Sequence, residues 1–536
     1  MLPDPIDEGL ARGWKVVDAA RLSGNVDMDA DVVIVGTGAG GGVTAEILSA
    51  AGLSVVMLEE GPLKSSRDFH MREAEAYPEL YQESAARKTL DKAVTILQGR
   101  CVGGSTTVNW TSTFRTPSAT LAFWQREFGL EELSGDQLRP WFEMMERRLA
   151  VAPWSVTPNA NNALLQSGAA RLGITTDVIR RNVRGCLNLG YCGMGCPTNA
   201  KQSMLVTTVP AALDRGATLV TRARAERVIE RGGRIVQLEA VGLDAQGTRV
   251  DGAGVIVRAR HYVLAAGAIG SPAILLRSGA PDPWRRVGTR TFLHPTVVSA
   301  AIFPERVNGY AGAPQSLYSD HFLDNVPIDG PIGFKLEAAP LHPVLFGMTL
   351  PGFGMPHAEM MREFPRAQVT LSLLRDGFHP GSAGGNVGLR RDGSPVLAYP
   401  LTAFLWEGVR RALLAIAEIQ FAAGAEKVYP VHERAEGYTS WRAARDGIAR
   451  LPLEPRLTRV VSAHVMGGCG MGVDRRSGVV DQRGRYFNVE NLSVHDGSIF
   501  PTSVGANPQL SIYAIAARNA SLLAQALTGR PAPAVA

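Results

Sequence analysis

The stretch Asp31-Val32-Val33-Ile34-Val35-Gly36-Thr37-Gly38-Ala39-Gly40-Gly41 decides the fold. A short apolar strand runs into a glycine-rich turn, and Val43 to Leu48 continue as a helix. A second apolar run, Ser54-Val55-Val56-Met57-Leu58, ends on Glu59. Strand, helix, strand and terminal acid together form the pattern of a βαβ unit that holds a dinucleotide. Gly36 permits the tight turn, Gly38 lets backbone approach a pyrophosphate, and Gly41 lets helix and strand pack closely. The helix N-terminus faces the phosphates, and Glu59 is placed to accept hydrogen bonds from the adenosine ribose. The motif by itself does not separate NAD from FAD.

The chain has 536 residues, enough for two or three domains or for one large enzyme with an inserted region. With 45% hydrophobic and 20% charged residues it has the composition of a globular protein, which excludes a disordered chain. A net charge of +5, with no compact block of Lys and Arg, argues against nucleic acid as a partner. The glycines cluster beside apolar runs, which points to backbone packed against a ligand. No run of about 18 apolar residues reads as a transmembrane segment. The start, Met1 to Glu8, is acidic and broken by prolines, unlike a secretory signal. The expectation is a soluble, cytoplasmic protein.

A further apolar strand, His261 to Ala266, runs into Gly267-Ala268-Ile269-Gly270-Ser271-Pro272 and a helix from Ala273 to Ser278. Between these landmarks the pattern is less regular, with a helical stretch from Gln137 to Leu149. Nucleotide-type segments thus recur at the start, middle and end of the chain. The expected fold class is α/β, with one discontinuous Rossmann-like domain made of residues 28–115, 204–290 and 455–530. An α+β substrate-binding domain, including a Cys-rich covering loop, occupies 116–203 and 291–454.

Four segments together resemble the glucose-methanol-choline (GMC) family of flavin oxidoreductases. They are the N-terminal nucleotide unit, Gly99-Arg100-Cys101-Val102-Gly103-Gly104-Ser105-Thr106-Thr107-Val108-Asn109, Ala265 to Gly279, and His464 to Asn507. The resemblance implies FAD rather than NAD, and so an FAD-binding Rossmann-like domain. Gly103, Gly104 and Ser105 would bring backbone near the flavin, and Asn109 would offer its amide to the ring's polar edge. Asp496 and Gly497 match the stretch that touches the pyrophosphate and ribityl chain. No His lies between His70 and His261, so the FAD is expected to be non-covalent.

The resemblance also places the chemistry. His464 stands at the family's catalytic His, and Asn507 stands where many relatives have a second one. Neutral His464 would remove a hydroxyl proton, Asn507 would donate a hydrogen bond to the developing alkoxide, and hydride would pass to flavin N5. Asn507 and Pro508 also read as the cap and first residue of an apolar helix from Gln509 to Leu527, its positive end toward the flavin. His495 is expected to pack behind the flavin site, and His294 matches a family position where it looks structural.

Cys186, Cys192 and Cys196 form a C-x5-C-x3-C pattern in a glycine-rich loop that ends in Pro197. Two readings stay open: ligands of an iron-sulfur cluster, [3Fe-4S] rather than four-iron, or a reduced loop covering the flavin. No fourth Cys or His lies nearby, which disfavours zinc.

The function these residues imply is FAD-dependent oxidation of an alcohol to the aldehyde. The His-Asn pair, the Cys loop and Gly9-Leu10-Ala11-Arg12-Gly13-Trp14 look most like bacterial relatives of the long-chain alcohol oxidase and dehydrogenase group. A primary, fairly apolar alcohol is therefore expected, with oxygen, a quinone or a redox protein as electron acceptor. One alternative is a sugar or polyol dehydrogenase passing electrons through the cluster to a cytochrome or quinone. Another, of a different class, is a non-redox lyase or a photodecarboxylase.

Overall fold

The computed structural model describes residues 3–535. Met1 and Leu2, at the head of the acidic start, lie outside the described residues. Two mixed sheets of eight strands each organise the molecule. In the first, the strands run in the order Lys15–Asp18, Thr218–Thr221, Val55–Leu58, Val26–Val35, Arg249–Leu264, Arg234–Leu243, Ala223–Arg231. Leu492–Val494 also pairs with the end of Arg249–Leu264, in parallel.

The centre of this sheet is parallel: Val32 to Val35 align with Val55 to Leu58 on one side and with His261 to Leu264 on the other. Val32, Val33 and Ile34 are buried on both faces, as a parallel strand covered by helices requires. The helix Ala39–Ala50 follows at once and packs against the long helix Gln509–Thr528. Glycines in its first turn let it close on the chain around it. A Cβ on Gly40 would stand 1.5 Å from the His495 carbonyl oxygen, and one on Gly41 would stand 1.9 Å from that of Gly36.

The second sheet runs Val94–Ile96, Val460–Ser462, Thr296–Ile302, Ala367–Leu374, Phe334–Ala338, Leu317–Ser319, Asp177–Val178, with Lys427–Pro430 as its eighth strand paired to Thr296–Ile302. Its middle strands pair antiparallel in full register, Thr296 opposite Leu373 through Ile302 opposite Ala367. The helix Ala403–Ala422 packs on it, burying Leu405, Val409, Leu413 and Ile416, spaced to form one apolar stripe. The Thr402 hydroxyl caps this helix by accepting the Leu405 N–H.

Several elements differ from their sequence reading. The strand read as His261 to Ala266 is the end of a sixteen-residue strand, Arg249–Leu264, whose first half forms a ladder with Arg234–Leu243. The following helix starts at Gly267 rather than Ala273, with Pro272 inside its second turn. Among the described residues no helix is long and apolar enough to cross a membrane.

Candidate active site

A cavity of about 1080 Å³ opens between the two sheets. Its lining brings together Gly36, Gly38, Glu59, Gly104, Ser105, Asn109, His464, Asp496, Gly497, Asn507 and Pro508, residues drawn from the start, middle and end of the chain. Gly41 and Gly103 stand behind that surface. Gly41 lets the helix close on the Gly36 turn, and the Gly103 N–H donates to the Thr37 hydroxyl at 3.0 Å.

The nucleotide end is held by Glu59, which is buried. Its Oε2 accepts the Thr37 N–H (3.0 Å) and hydroxyl (2.7 Å), and its Oε1 accepts the Gly61 N–H (3.0 Å). The acid read as a ribose ligand therefore also ties the glycine turn to the end of the second strand. Thr37, which joins Glu59 to the Gly103 loop, was missed by sequence reasoning although it sits inside the motif. Asp496 is similarly turned inward: it accepts from Gly267 N–H (2.9 Å), the Ser271 hydroxyl (2.5 Å) and Ser498 N–H (2.8 Å). It thereby anchors the start of the helix Gly267–Arg277 at the cavity wall.

The cradle fits a dinucleotide. Gly38 has φ −69°, open to any residue, yet a Cβ there would meet nothing in the protein nearer than 3.8 Å and would project into the cavity. Gly104 has φ +53°, and a Cβ on it would stand 2.9 Å from the Gly38 Cα, so this close approach requires glycine at position 104. Asn109 lines the cavity and also makes contacts the sequence did not signal. Its Nδ2 donates to Gln509 Oε1 at 2.7 Å and its Oδ1 accepts the Thr111 N–H at 3.1 Å, so it binds the loop to the helix Gln509–Thr528.

At the other end stand His464 and Asn507. The Ser462 hydroxyl accepts the His464 N–H (3.3 Å) and donates to its carbonyl (3.0 Å), which fixes the backbone that presents the imidazole. Burial pushes the His464 pKa down to about 4, so the ring is neutral over the physiological range. Asn507 is not the helix cap that its position suggested. Pro508 occupies that place, and the Asn507 Nδ2 instead donates to Glu337 Oε2 at 3.4 Å, leaving Oδ1 buried and unpartnered. His495 lies outside the cavity lining, with its Nδ1 3.1 Å from the Thr44 hydroxyl on the nucleotide helix.

Glu337, on the strand Phe334–Ala338, has no sequence signal because its partners are distant along the chain. Its Oε2 also accepts the Gln315 amide at 2.6 Å, while Oε1 is buried without a partner. Burial raises its pKa to about 7. The folded state thus holds a proton that the unfolded chain releases near pH 4.5, and this contribution to stability is lost as pH rises through 7. Replacing Glu337 with Gln, neutral and of the same shape, is expected to remove that slope. The gain above pH 7 is about 3 kcal/mol at most, read from urea midpoints at pH 5 and pH 8.

The three loop cysteines line neither end of the cavity, and their sulfurs have separate neighbours. Cys186 accepts the Asn188 N–H, Cys192 accepts an Arg181 N–H, and Cys196 pairs with the Thr198 hydroxyl. Among the described residues no group of three or more His, Cys, Asp or Glu side chains is arranged to hold a metal ion. The ligand set read from the C-x5-C-x3-C spacing is therefore not formed. The loop is instead tied to the cofactor segment by Lys201, whose buried ammonium donates to the carbonyls of Thr107 (2.8 Å), Asn109 (2.6 Å) and Cys192 (2.7 Å).

Comparison with known proteins agrees with this geometry. Residues 77–296 match the N-terminal domain, and residues 380–516 the C-terminal domain, of GMC oxidoreductases. A GMC-type oxidoreductase of Sinorhizobium fredii is 31% identical over 501 residues, covering 93% of this chain and 95% of its own. A long-chain-alcohol oxidase of Arabidopsis thaliana is 29% identical over 516 residues, covering 91% of this chain and 66% of its own. A formate oxidase of Aspergillus oryzae RIB40 superposes with a TM-score of 0.70 at 15% identity, covering 94% of this chain and 99% of that one. It shares the fold, an FAD-binding Rossmann-type domain joined to a substrate-binding domain. The chain belongs to the GMC oxidoreductase family, flavoproteins whose FAD the glycine cradle fits.

Proposed function

We propose that this flavoprotein oxidises a primary, predominantly apolar alcohol to its aldehyde. The observation that carries the reading is that His464 and Asn507 line one cavity with an apolar wall formed by Leu341, Phe346, Leu350, Val369, Leu371 and Leu373. Bound FAD supplies the hydride acceptor. His464, neutral because it is buried, takes up the hydroxyl proton, and the Asn507 amide steadies the substrate oxygen as charge develops on it. The apolar wall accommodates an alkyl chain and gives the hydroxyls of a sugar nothing to bind. The Arabidopsis relatives named as long-chain-alcohol oxidases support the same substrate class.

The test is anaerobic flavin reduction across primary alcohols of increasing length, with sugars and polyols in the same panel. Bleaching that becomes faster as the chain lengthens is the expected result. Faster bleaching by polyols would overturn the substrate class, and no bleaching by any alcohol would favour a lyase or photodecarboxylase. Oxygen consumption measured beside dye reduction separates oxygen from a quinone or a redox protein as acceptor.

A further inference from the structure

His464 faces a second histidine. His294 is 1% exposed, its Nδ1 lies 3.0 Å from Nδ1 of His464, and the two rings stand nearly perpendicular at 89°. Its other nitrogen, Nε2, meets the backbone N–H of Gly505 at 3.1 Å. A backbone amide nitrogen only donates, so Nε2 of His294 is an acceptor and holds no proton. Burial keeps His294 neutral, helped by the adjacent His464 and by the charge of Lys335. Its single proton is therefore on Nδ1, directed at Nδ1 of His464. That nitrogen must accept, which leaves the one proton of neutral His464 on Nε2.

We propose that His294 is a positioning residue that selects the tautomer of His464, holding its proton on Nε2 so that resting enzyme presents an N–H donor to the substrate oxygen. The inference rests on the reading of His464 as the residue that takes up the hydroxyl proton, and it adds a condition to that reading. An imidazole protonated at Nε2 has no lone pair there. It accepts the hydroxyl proton at Nε2 only when its own proton resides on Nδ1, and this requires the contact with His294, or that of His294 with Gly505, to open.

With both contacts closed, His464 and Asn507 are two donors available to one oxygen, an arrangement that suits an alkoxide or a carbonyl product. A protonated His464 would turn an Nδ1–H against the Nδ1–H of His294, two donors with no acceptor between them. The same contact therefore opposes the imidazolium. Gly505 lies two residues before Asn507, so a movement that releases His294 also moves the segment carrying the second polar residue. Lys335 is the charged group that acts on the pair, whereas Glu337 reaches Asn507 and neither imidazole.

The experiment uses FAD-loaded enzyme labelled with ¹⁵N-histidine, the His464 signals being identified by their absence in His464→Gln. Wild type is expected to show His464 protonated at Nε2 and bare at Nδ1. His294→Gln should keep that state, because its amide can accept from Gly505 and donate to His464. His294→Leu should lose it, and the acid limb of the pH profile for anaerobic flavin reduction should rise by roughly one unit. A wild-type His464 protonated at Nδ1, or an unchanged tautomer in His294→Leu, overturns the proposal. The tautomer is read without turnover, so failure of alcohols to reduce the flavin would count against the substrate reading alone. If His294→Leu does not fold, the wild-type and His294→Gln spectra still decide.

Discussion

Replacing His464 with alanine is expected to leave the yellow holoprotein intact and to slow flavin reduction by alcohol by about 10² to 10⁴, the usual worth of a positioned acid-base group. The two halves of this expectation come from opposite ends of the cavity. The Gly36 turn, Glu59 and the Gly104 loop are the groups proposed to hold the nucleotide, and none of them touches the imidazole, so FAD content should not change. Proton uptake has no substitute, because Asn507 cannot act as a base, Glu337 does not line the cavity, and Asp496 is engaged by Gly267, Ser271 and Ser498. Stopped-flow reduction under anaerobic conditions checks the rate, and a rate near wild type would remove His464 from the mechanism.

Replacing Gly38 with leucine is expected to do the reverse, giving a folded protein that carries almost no FAD, with affinity lowered at least about 100-fold, or roughly 3 kcal/mol. The backbone at Gly38 allows a side chain and no protein atom stands in its way, so the apoprotein should unfold at the wild-type temperature. The new side chain occupies the space left for the pyrophosphate. Gly40 and Gly41 differ in kind: there a Cβ would run into the carbonyl of His495 or of Gly36, and the fold itself should fail. The ratio of absorbance at 450 nm to 280 nm reports cofactor content, and thermal unfolding reports the scaffold. In wild type the same flavin is expected to pass into the supernatant on acid precipitation. Colour retained in the pellet would show a covalent link.

The nucleotide unit was readable because its signals are local. Strand, turn, helix and acid all fall between Asp31 and Glu59, although some of the contacts that demand glycine, such as Gly36 against Ala265 and Gly40 against His495, come from distant parts of the chain. His464 and Asn507 were readable only through resemblance, since nothing local distinguishes His464 from a core histidine. The partners of these residues were not readable. Glu337 meets Asn507, and His294 meets both His464 and Gly505, through contacts that only the folded sheets create. Asn507 shows the limit of local rules: Asn-Pro ahead of an apolar run is a sound capping signal, but a buried carboxyl took the side chain first. The cysteine spacing left two readings open, since spacing does not say where sulfurs point, and each sulfur meets its own N–H or hydroxyl neighbour.

The strand Arg249–Leu264 has a consequence for how the protein is made. Its parallel partners are Val26–Val35, synthesised early, and Leu492–Val494, synthesised long afterwards. The helix that packs on the nucleotide segment, Gln509–Thr528, arrives later still. A nascent chain cannot complete its nucleotide pocket, or the sheet behind it, until Leu492–Val494 and Gln509–Thr528 have emerged. Loading with FAD therefore waits for those late segments, and a message truncated anywhere upstream of the codon for Leu492 yields a product that no supply of riboflavin can rescue.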